Sequence, residues 1–371
     1  MLKLKYSEID DKVSCVCKYF IPAPVPSDST YNHAQTDFSK RGNQVFQRPV
    51  ECDFINKYGG TVFRNASLKH CGRFRMPHVF SAESFRSATQ YKPRPDDVFI
   101  ITYPKCGTTW AQQIIGLIFK QDELHNVKGK LFGEDPFLEL RGAKSAETMS
   151  RPGVIKTHLP FNLAPWSDEA KYIHIARNPK DCCVSFYHHD MSHGFNGSFD
   201  QFFEIFISGK IHFGDYFDHL LSWFEHRNDP NVLFLTYEDM KNDPANSILK
   251  IASFIDEEKY GEPLRNDSER LNKILEYSSF QYMKEATNHT EVKPMENKIL
   301  NSESIQTSVP ASEEENHGPK HVKSVMSRLV RKGVVGDYRN HFSKEQNERL
   351  NKKFAEKTKG TDLENIWVDY M

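Results

Sequence analysis

Residues 97–110 read Asp-Val-Phe-Ile-Ile-Thr-Tyr-Pro-Lys-Cys-Gly-Thr-Thr-Trp. The apolar run Val98–Ile101 has the composition of a short strand buried on both faces. Beyond the turn, Trp110, Ile114, Leu117 and Ile118 fall on one helical stripe. A strand that feeds a tight glycine-containing turn into a helix presents backbone N–H groups and the positive helix end to an anion, and Lys105 adds a full charge. In the nucleotide-triphosphatase form of this turn, GxxxxGK[ST], the lysine directly follows the second glycine. Here Lys105 precedes Gly107, the only glycine of the loop. The turn is therefore anion-binding in character without being that motif. On spacing alone, an ordinary strand-to-helix connection reads the same way.

The same unit recurs along the chain. Tyr172–Arg177 is followed by Asn178-Pro179-Lys180, turning into a helix from about Asp181. Asn231–Tyr237 is followed by Asn242-Asp243-Pro244, where Asp243 suits a helix cap and Pro244 the first turn. Val154–His158 is a shorter strand, closed by Leu159-Pro160. Alternating strands and helices predict an α/β fold, with a mostly parallel central sheet flanked by helices on both faces. Ligands of such sheets sit beyond the carboxyl ends of the strands.

Three further segments place anion chemistry there. In ARNPKDCCVS (176–185), Arg177 ends a strand and Ser185 lies about two helical turns on, so a guanidinium fork and a hydroxyl reach the same edge. Alone, a strand-end arginine serves equally in a structural ion pair. In RKGVVGDYRNHF (331–342), Arg331 and Lys332 precede Gly333, a pattern that clamps a phosphate by side chain and backbone or forms a solvated basic turn. In KTHLP (156–160), Lys156 and His158 project from one face of an extended strand. The like charge of the lysine lowers the imidazole pKa and keeps it neutral as a base near pH 7. Four anion-friendly loops on one edge predict a ligand with several separated phosphates.

Composition narrows the class. The 371 residues carry 49 Lys+Arg against 50 Asp+Glu, a net charge of -1, which argues against a nucleic-acid partner. Hydrophobic residues at 38%, with 27 Phe, can fill a core, so a wholly disordered chain is excluded. No window has the apolar length of a membrane span, and the start MLKLKYSEIDDKVSC has no signal-peptide core. The seven cysteines form neither a CxxC pair nor a regular framework, which predicts a reducing, cytoplasmic address. Residues 1–50, with the proline-spaced IPAPVPSDST, are expected to be a poorly ordered or loosely packed extension to a domain spanning 51–371. Residues 285–324 contain no Phe, Tyr or Trp and are expected to form a mobile loop.

Taken together, RPDDVFIITYPKCGTTW, DPFLEL, KTHLP, ARNPKDCCVSFYHH, FLTYEDMKNDP and RKGVVGDYRNHF resemble, in order, the signature segments of the cytosolic sulfotransferases. The likeness runs from about Met76 to about Leu350. It implies transfer of a sulfonate group from 3'-phosphoadenosine 5'-phosphosulfate to a hydroxyl or amine of a small acceptor, with no metal. The resemblance would place the 5'-phosphosulfate on Lys105, Cys106, Gly107, Thr108 and Thr109. Adenine would lie between Trp110 and Phe280, with Tyr237 and Ser278 at its edge. The 3'-phosphate would meet Arg177, Ser185, Arg331 and Gly333, with Lys332 beside them. His158 would be the general base, with Lys105 and Lys156 stabilising charge. Phe137, Phe161, His189 and Phe195 would line an apolar or phenol-accepting pocket, made more polar by His189.

Several features depart from the family pattern. Cys106 stands where serine is common, and a thiol beside Lys105 is expected to be sensitive to oxidation. The usual dimer motif survives only as Glu348 in the stretch Arg339–Glu348, with Lys344 at its apolar centre, so a monomer or weak homodimer is expected. Three alternatives remain. A nucleotide kinase would use Glu238 or Asp239 for magnesium, a silent nucleotide sensor would lack turnover, and a dehydratase would eliminate sulfate after transfer.

Overall fold

The computed structural model describes residues 52–55, 68–71, 74–77, 79–132, 135–289 and 330–371. The expected extension over 1–50 and most of the 285–324 segment lie outside them. The first residues of that segment do not form a loop: 285–289 complete a helix that begins at Phe280, and Ala286 and Thr287 are buried.

Four strands form the central sheet: β4 (Val98–Thr102), β5 (Val154–Thr157), β6 (Lys171–Ala176) and β7 (Val232–Thr236). They run parallel in the order β5-β4-β6-β7, with Ile100 opposite Lys156 and Ile173. Before them, β1 (Cys52–Ile55), β2 (Leu68–Cys71) and β3 (Phe74–Pro77) pair as an antiparallel meander that the sequence reading did not anticipate.

Every residue of β4 is buried, because helices cover both faces. The helices are α1 (Ala82–Thr89), α2 (Thr108–Phe119), α3 (Leu138–Arg141), α4 (Ala143–Glu147), α5 (Pro179–Met191), α6 (Phe199–Ile207), α7 (Tyr216–Phe224), α8 (Tyr237–Asn242), α9 (Pro244–Ile255), α10 (Glu262–Asn266), α11 (Ser268–Tyr277), α12 (Phe280–His289) and α13 (Lys344–Thr358). On one face, Val98, Ile100 and Ile173 pack against Ile114 and Leu117 of α2, Ile251 of α9 and Ile274 of α11. On the other, Phe99 stacks on Tyr172 with centroids 4.9 Å apart, beneath Ala88 of α1 and Trp223 of α7. A third cluster holds many of the phenylalanines: Phe186 and Phe206 meet Tyr103 edge-on, and Phe202, Phe217 and Leu350 and Phe354 of α13 belong to the same cluster.

Local chemistry fixes the helix starts. Asp243 caps α9 by accepting from the Asn246 amide at 3.0 Å, with Pro244 at the first position, as its sequence predicts. Asn178 caps α5 by accepting from the Lys180 amide at 2.9 Å, so the helix begins at Pro179, two residues before the expected start. Ser343 caps α13 in a reciprocal pair with Gln346, and Lys344 is exposed at its first position.

Candidate active site

A cavity of about 610 Å³ opens at the carboxyl ends of the sheet strands. It draws on the loop after β4, the end of β5, Arg177 after β6 and Tyr237 after β7. This is the edge where the four sequence motifs were expected to meet.

The β4–α2 turn passes through two left-handed residues, Lys105 at φ 73° and Gly107 at φ 104°. Glycine tolerates that conformation freely, whereas a lysine held there carries about 1–2 kcal/mol of backbone strain. Gly107 is also sterically required, since a Cβ there would meet the Tyr237 ring at 3.0 Å. No side chain caps the N-terminus of α2 among the described residues, so its first amides are left for a ligand. Lys105 is half-buried in the cavity lining. Burial, with Arg177 adding like-charge repulsion, pushes its ammonium pKa down to about 8.

Cys106 corrects one expectation. Its side chain is fully buried and does not line the cavity; it points at Cys182, with the sulfurs 3.7 Å apart. Burial drives the Cys106 thiol pKa well above its usual value, so it is no oxidation-prone thiolate.

His158 lies just past β5 and is held at three points. Its backbone amide donates to Glu139 Oε1 at 2.6 Å. Its Nδ1 lies 2.8 Å from the Thr102 carbonyl and 3.1 Å from the Thr102 hydroxyl. Phe137 and Phe213 flank the ring edge-on, each with its centroid 5.1 Å away. A carbonyl can only accept, so Nδ1 carries the proton and Nε2 keeps its lone pair. Burial, with Lys156 and Lys105 adding repulsion, pushes the imidazole pKa down to about 3. Glu139, whose backbone contact orients the segment, is fully buried and has its carboxyl pushed up to about 7 by that burial. Lys156 reaches toward Gln112 Oε1 at 3.5 Å and lies 5.2 Å from the Phe137 ring centre.

Arg177 is pinned by its donors to the Lys105 carbonyl and the Val334 carbonyl, both at 3.2 Å, and stacks 4.3 Å over the Tyr237 ring. It therefore ties the β4 loop to the 331–334 segment. Arg331 and Lys332 both engage Asp337, at 2.6 and 2.8 Å, and these cations hold the Asp337 carboxyl well below the usual carboxylate range. Gly333 (φ +64°) approaches so closely that a Cβ would lie 2.4 Å from the Phe280 ring. Trp110 donates from its indole N–H to the Ser278 carbonyl at 2.9 Å and meets Tyr237 edge-on at 5.5 Å. The Ser278 hydroxyl donates back to Ile274 at 2.7 Å, which leaves it an acceptor.

The cavity thus gathers Lys105, Gly107, Thr108, Thr109, Trp110, Lys156, His158, Arg177, Ser185, Tyr237, Ser278, Phe280, Arg331, Lys332 and Gly333, together with Phe137 and His189. Phe161 and Phe195 are not in its lining. Phe161 lies face to face with His226, its centroid 3.4 Å away, in a cluster with Trp166 and Trp223. Phe195 is buried against Phe202 and Tyr187. Core packing claims both rings. Sequence reasoning missed Phe80, Phe213, Asp190, His193 and His212 in the lining. Phe213 carried no motif; a non-glycine φ of 66° and a bond from its amide to the Arg75 carbonyl at 2.9 Å turn it inward.

Residues 95–362 match the family model of the sulfotransferase domain. Human sulfotransferase 1C2 is 33% identical over 296 residues, covering 76% of this chain and 90% of that protein. Human sulfotransferase 1E1 is 34% identical, covering 74% and 87%. The crystal structure of mouse sulfotransferase SULT7A1 complexed with PAP superposes with a TM-score of 0.62 at 27% identity, covering 82% of this chain and 98% of that one. The chain belongs to the sulfotransferase family and is a transferase. Among its described residues, no helix is long and apolar enough to cross a membrane.

Proposed function

We propose that this enzyme moves the sulfonate group of 3'-phosphoadenosine 5'-phosphosulfate to a hydroxyl of a small apolar or phenolic acceptor in the cytosol. The carrying observation is one cavity that joins two separate cationic sites to a neutral imidazole. The α2 N-terminus and Lys105 suit the 5' end, while Arg177, Ser185, Arg331 and Gly333 suit a 3'-phosphate. Trp110 and Phe280, which share the cavity lining with Tyr237 and Ser278, suit the faces of adenine, and the latter two suit its polar edge. The PAP bound by the mouse relative supports this donor.

In this mechanism the acceptor oxygen attacks sulfur in line. Its O–H proton passes to Nε2 of His158, the new O–S bond forms, and the bond from sulfur to the bridging phosphate oxygen breaks. The electron pair remains on 3'-phosphoadenosine 5'-phosphate, where Lys105 and Lys156 stabilise the growing charge. Without donor, burial first and the two lysines after it oppose protonation of His158. An anionic donor offsets the lysines' share and so raises the basicity of the imidazole. A magnesium-dependent kinase is disfavoured by Glu238, whose two carboxylate oxygens accept from the Asn178 amide and the Trp367 indole at 3.0 and 2.9 Å. Incubation with labelled donor and a panel of phenols, steroids, amines and catechols tests the reading. Labelled sulfate ester on a hydroxyl acceptor is expected, and absence of labelled product from every acceptor would reject it.

A further inference from the structure

Backbone pairing fixes the start of Lys156 but not the end of its side chain. At the outer edge of β5, its amide donates to the Pro136 carbonyl at 2.9 Å, and Phe137 pairs beside it as a single parallel bridge. The ammonium sits on a flexible stem, whereas the charge it must meet in the transfer step lies at one point. The Phe137 ring, its centre 5.2 Å from Nζ, offers a broad face and little direction.

Direction comes from Gln112. This residue belongs to α2, the helix whose N-terminus opens on the cavity, and is only 1% exposed. Its Nε2 donates to Asp135 Oδ2 at 3.0 Å, and its Oε1 faces Lys156 Nζ at 3.5 Å. An ionised carboxylate can only accept, so Asp135 turns the amide the one way that aims its oxygen at the ammonium. Reversed, the amide would set N–H against a cation and oxygen against an anion. Asp135 is half-buried; burial raises its carboxyl pKa, while the Gln112 amide, Lys156 and the Val154 backbone favour its charged form. A carboxylate at one end of an amide also polarises it and makes the far oxygen a stronger acceptor. The 3.5 Å separation is longer than a full hydrogen bond, so the ammonium is guided without being locked and stays free to close on a donor. Neither Gln112 nor Asp135 lines the cavity, so their route to a ligand runs through Lys156.

We infer that Gln112 and Asp135 are positioning residues that aim the Lys156 ammonium at the oxygen between phosphate and sulfur. This rests on the sulfonate-transfer reading and adds to its machinery. The test sets single-turnover rates with labelled donor beside calorimetric binding of 3'-phosphoadenosine 5'-phosphate. Gln112→Met, of similar length without the amide, should lower the rate about tenfold, the scale of one lost contact to a charged group. Nucleotide affinity should not change, because the charge that Lys156 meets grows only in the transition state. Asp135→Ala should behave likewise, whereas Asp135→Asn, which keeps an oxygen for Gln112, should retain most of the rate. In a Lys156→Ala background, Gln112→Met should cost no further rate. Circular dichroism verifies that each variant is folded; a misfolded Gln112→Met would leave the two Asp135 variants to decide. An unchanged rate in both Gln112→Met and Asp135→Ala would overturn the inference. So would equal rates for the two Asp135 variants, a rate loss matched by lost nucleotide affinity, or an undiminished loss in the absence of Lys156. Failure of the wild-type protein to transfer label to any acceptor would remove the transfer reading and this inference together.

Discussion

Nδ1 of His158, just beyond β5, lies 2.8 Å from the carbonyl oxygen of Thr102, the last residue of β4. One strand end thereby sets the tautomer of the base carried by its neighbour. A ring fixed in this way needs no reorganisation before accepting a proton at Nε2. His158→Ala should lose about 10²–10⁴ in turnover, the usual share of a general base, while retaining affinity for 3'-phosphoadenosine 5'-phosphate. Steady-state kinetics and titration calorimetry on the same preparation check both halves.

Lys105 sets the alkaline limit. Its pKa near 8 in the donor-free enzyme means that it is charged below that pH and neutral above it. Donor capture should therefore fall as pH rises through about 8. Lys105→Arg, whose charge persists, should move that limb to higher pH. No acid limb from His158 is expected between pH 7 and 5, because its free-enzyme pKa is about 3. The pH profile of kcat/KM for the donor, measured on both proteins, tests the assignment.

Acid stability should respond to His174, buried between Trp223 and Phe234 with its pKa pushed down to about 3 by desolvation. The unfolded chain binds this proton near pH 6.5 and the native state does not. The histidine's contribution is present above that pH and is lost on acidification. Replacing it with phenylalanine should remove about 2 kcal/mol of acid sensitivity between pH 7 and 5. Urea unfolding of the two proteins at both pH values measures the difference, and identical slopes would contradict it.

Cys106 and Cys182, each with no exposed surface, should resist iodoacetamide in the native protein and react only after denaturation. Peptide mass spectrometry with and without urea distinguishes this from a reactive loop thiol.

Much of the fold was legible because β4 through β7 are short apolar runs ending in loops of unusual composition. Lys105 before a lone glycine, and Lys156 two residues before His158, marked the correct edge of the sheet. The β1–β3 meander escaped notice because four-residue strands such as Leu68–Cys71 carry almost no periodicity. Phe161 and Phe195 show the opposite failure. A phenylalanine reads the same whether it faces a cavity or its own core, and tertiary packing decides between them. Asp190 and His212 lie 22 residues apart in sequence and meet only through folding, so no local motif announced them.

The direct test of the account is calorimetric binding of 3'-phosphoadenosine 5'-phosphate against adenosine 5'-phosphate, with the wild-type protein and Arg331→Ala. The wild type should prefer the 3'-phosphorylated nucleotide by about a hundredfold, the scale of a charge-assisted contact at a part-buried site, and the variant should lose most of that preference. Equal affinity of the wild-type protein for the two nucleotides would contradict the account.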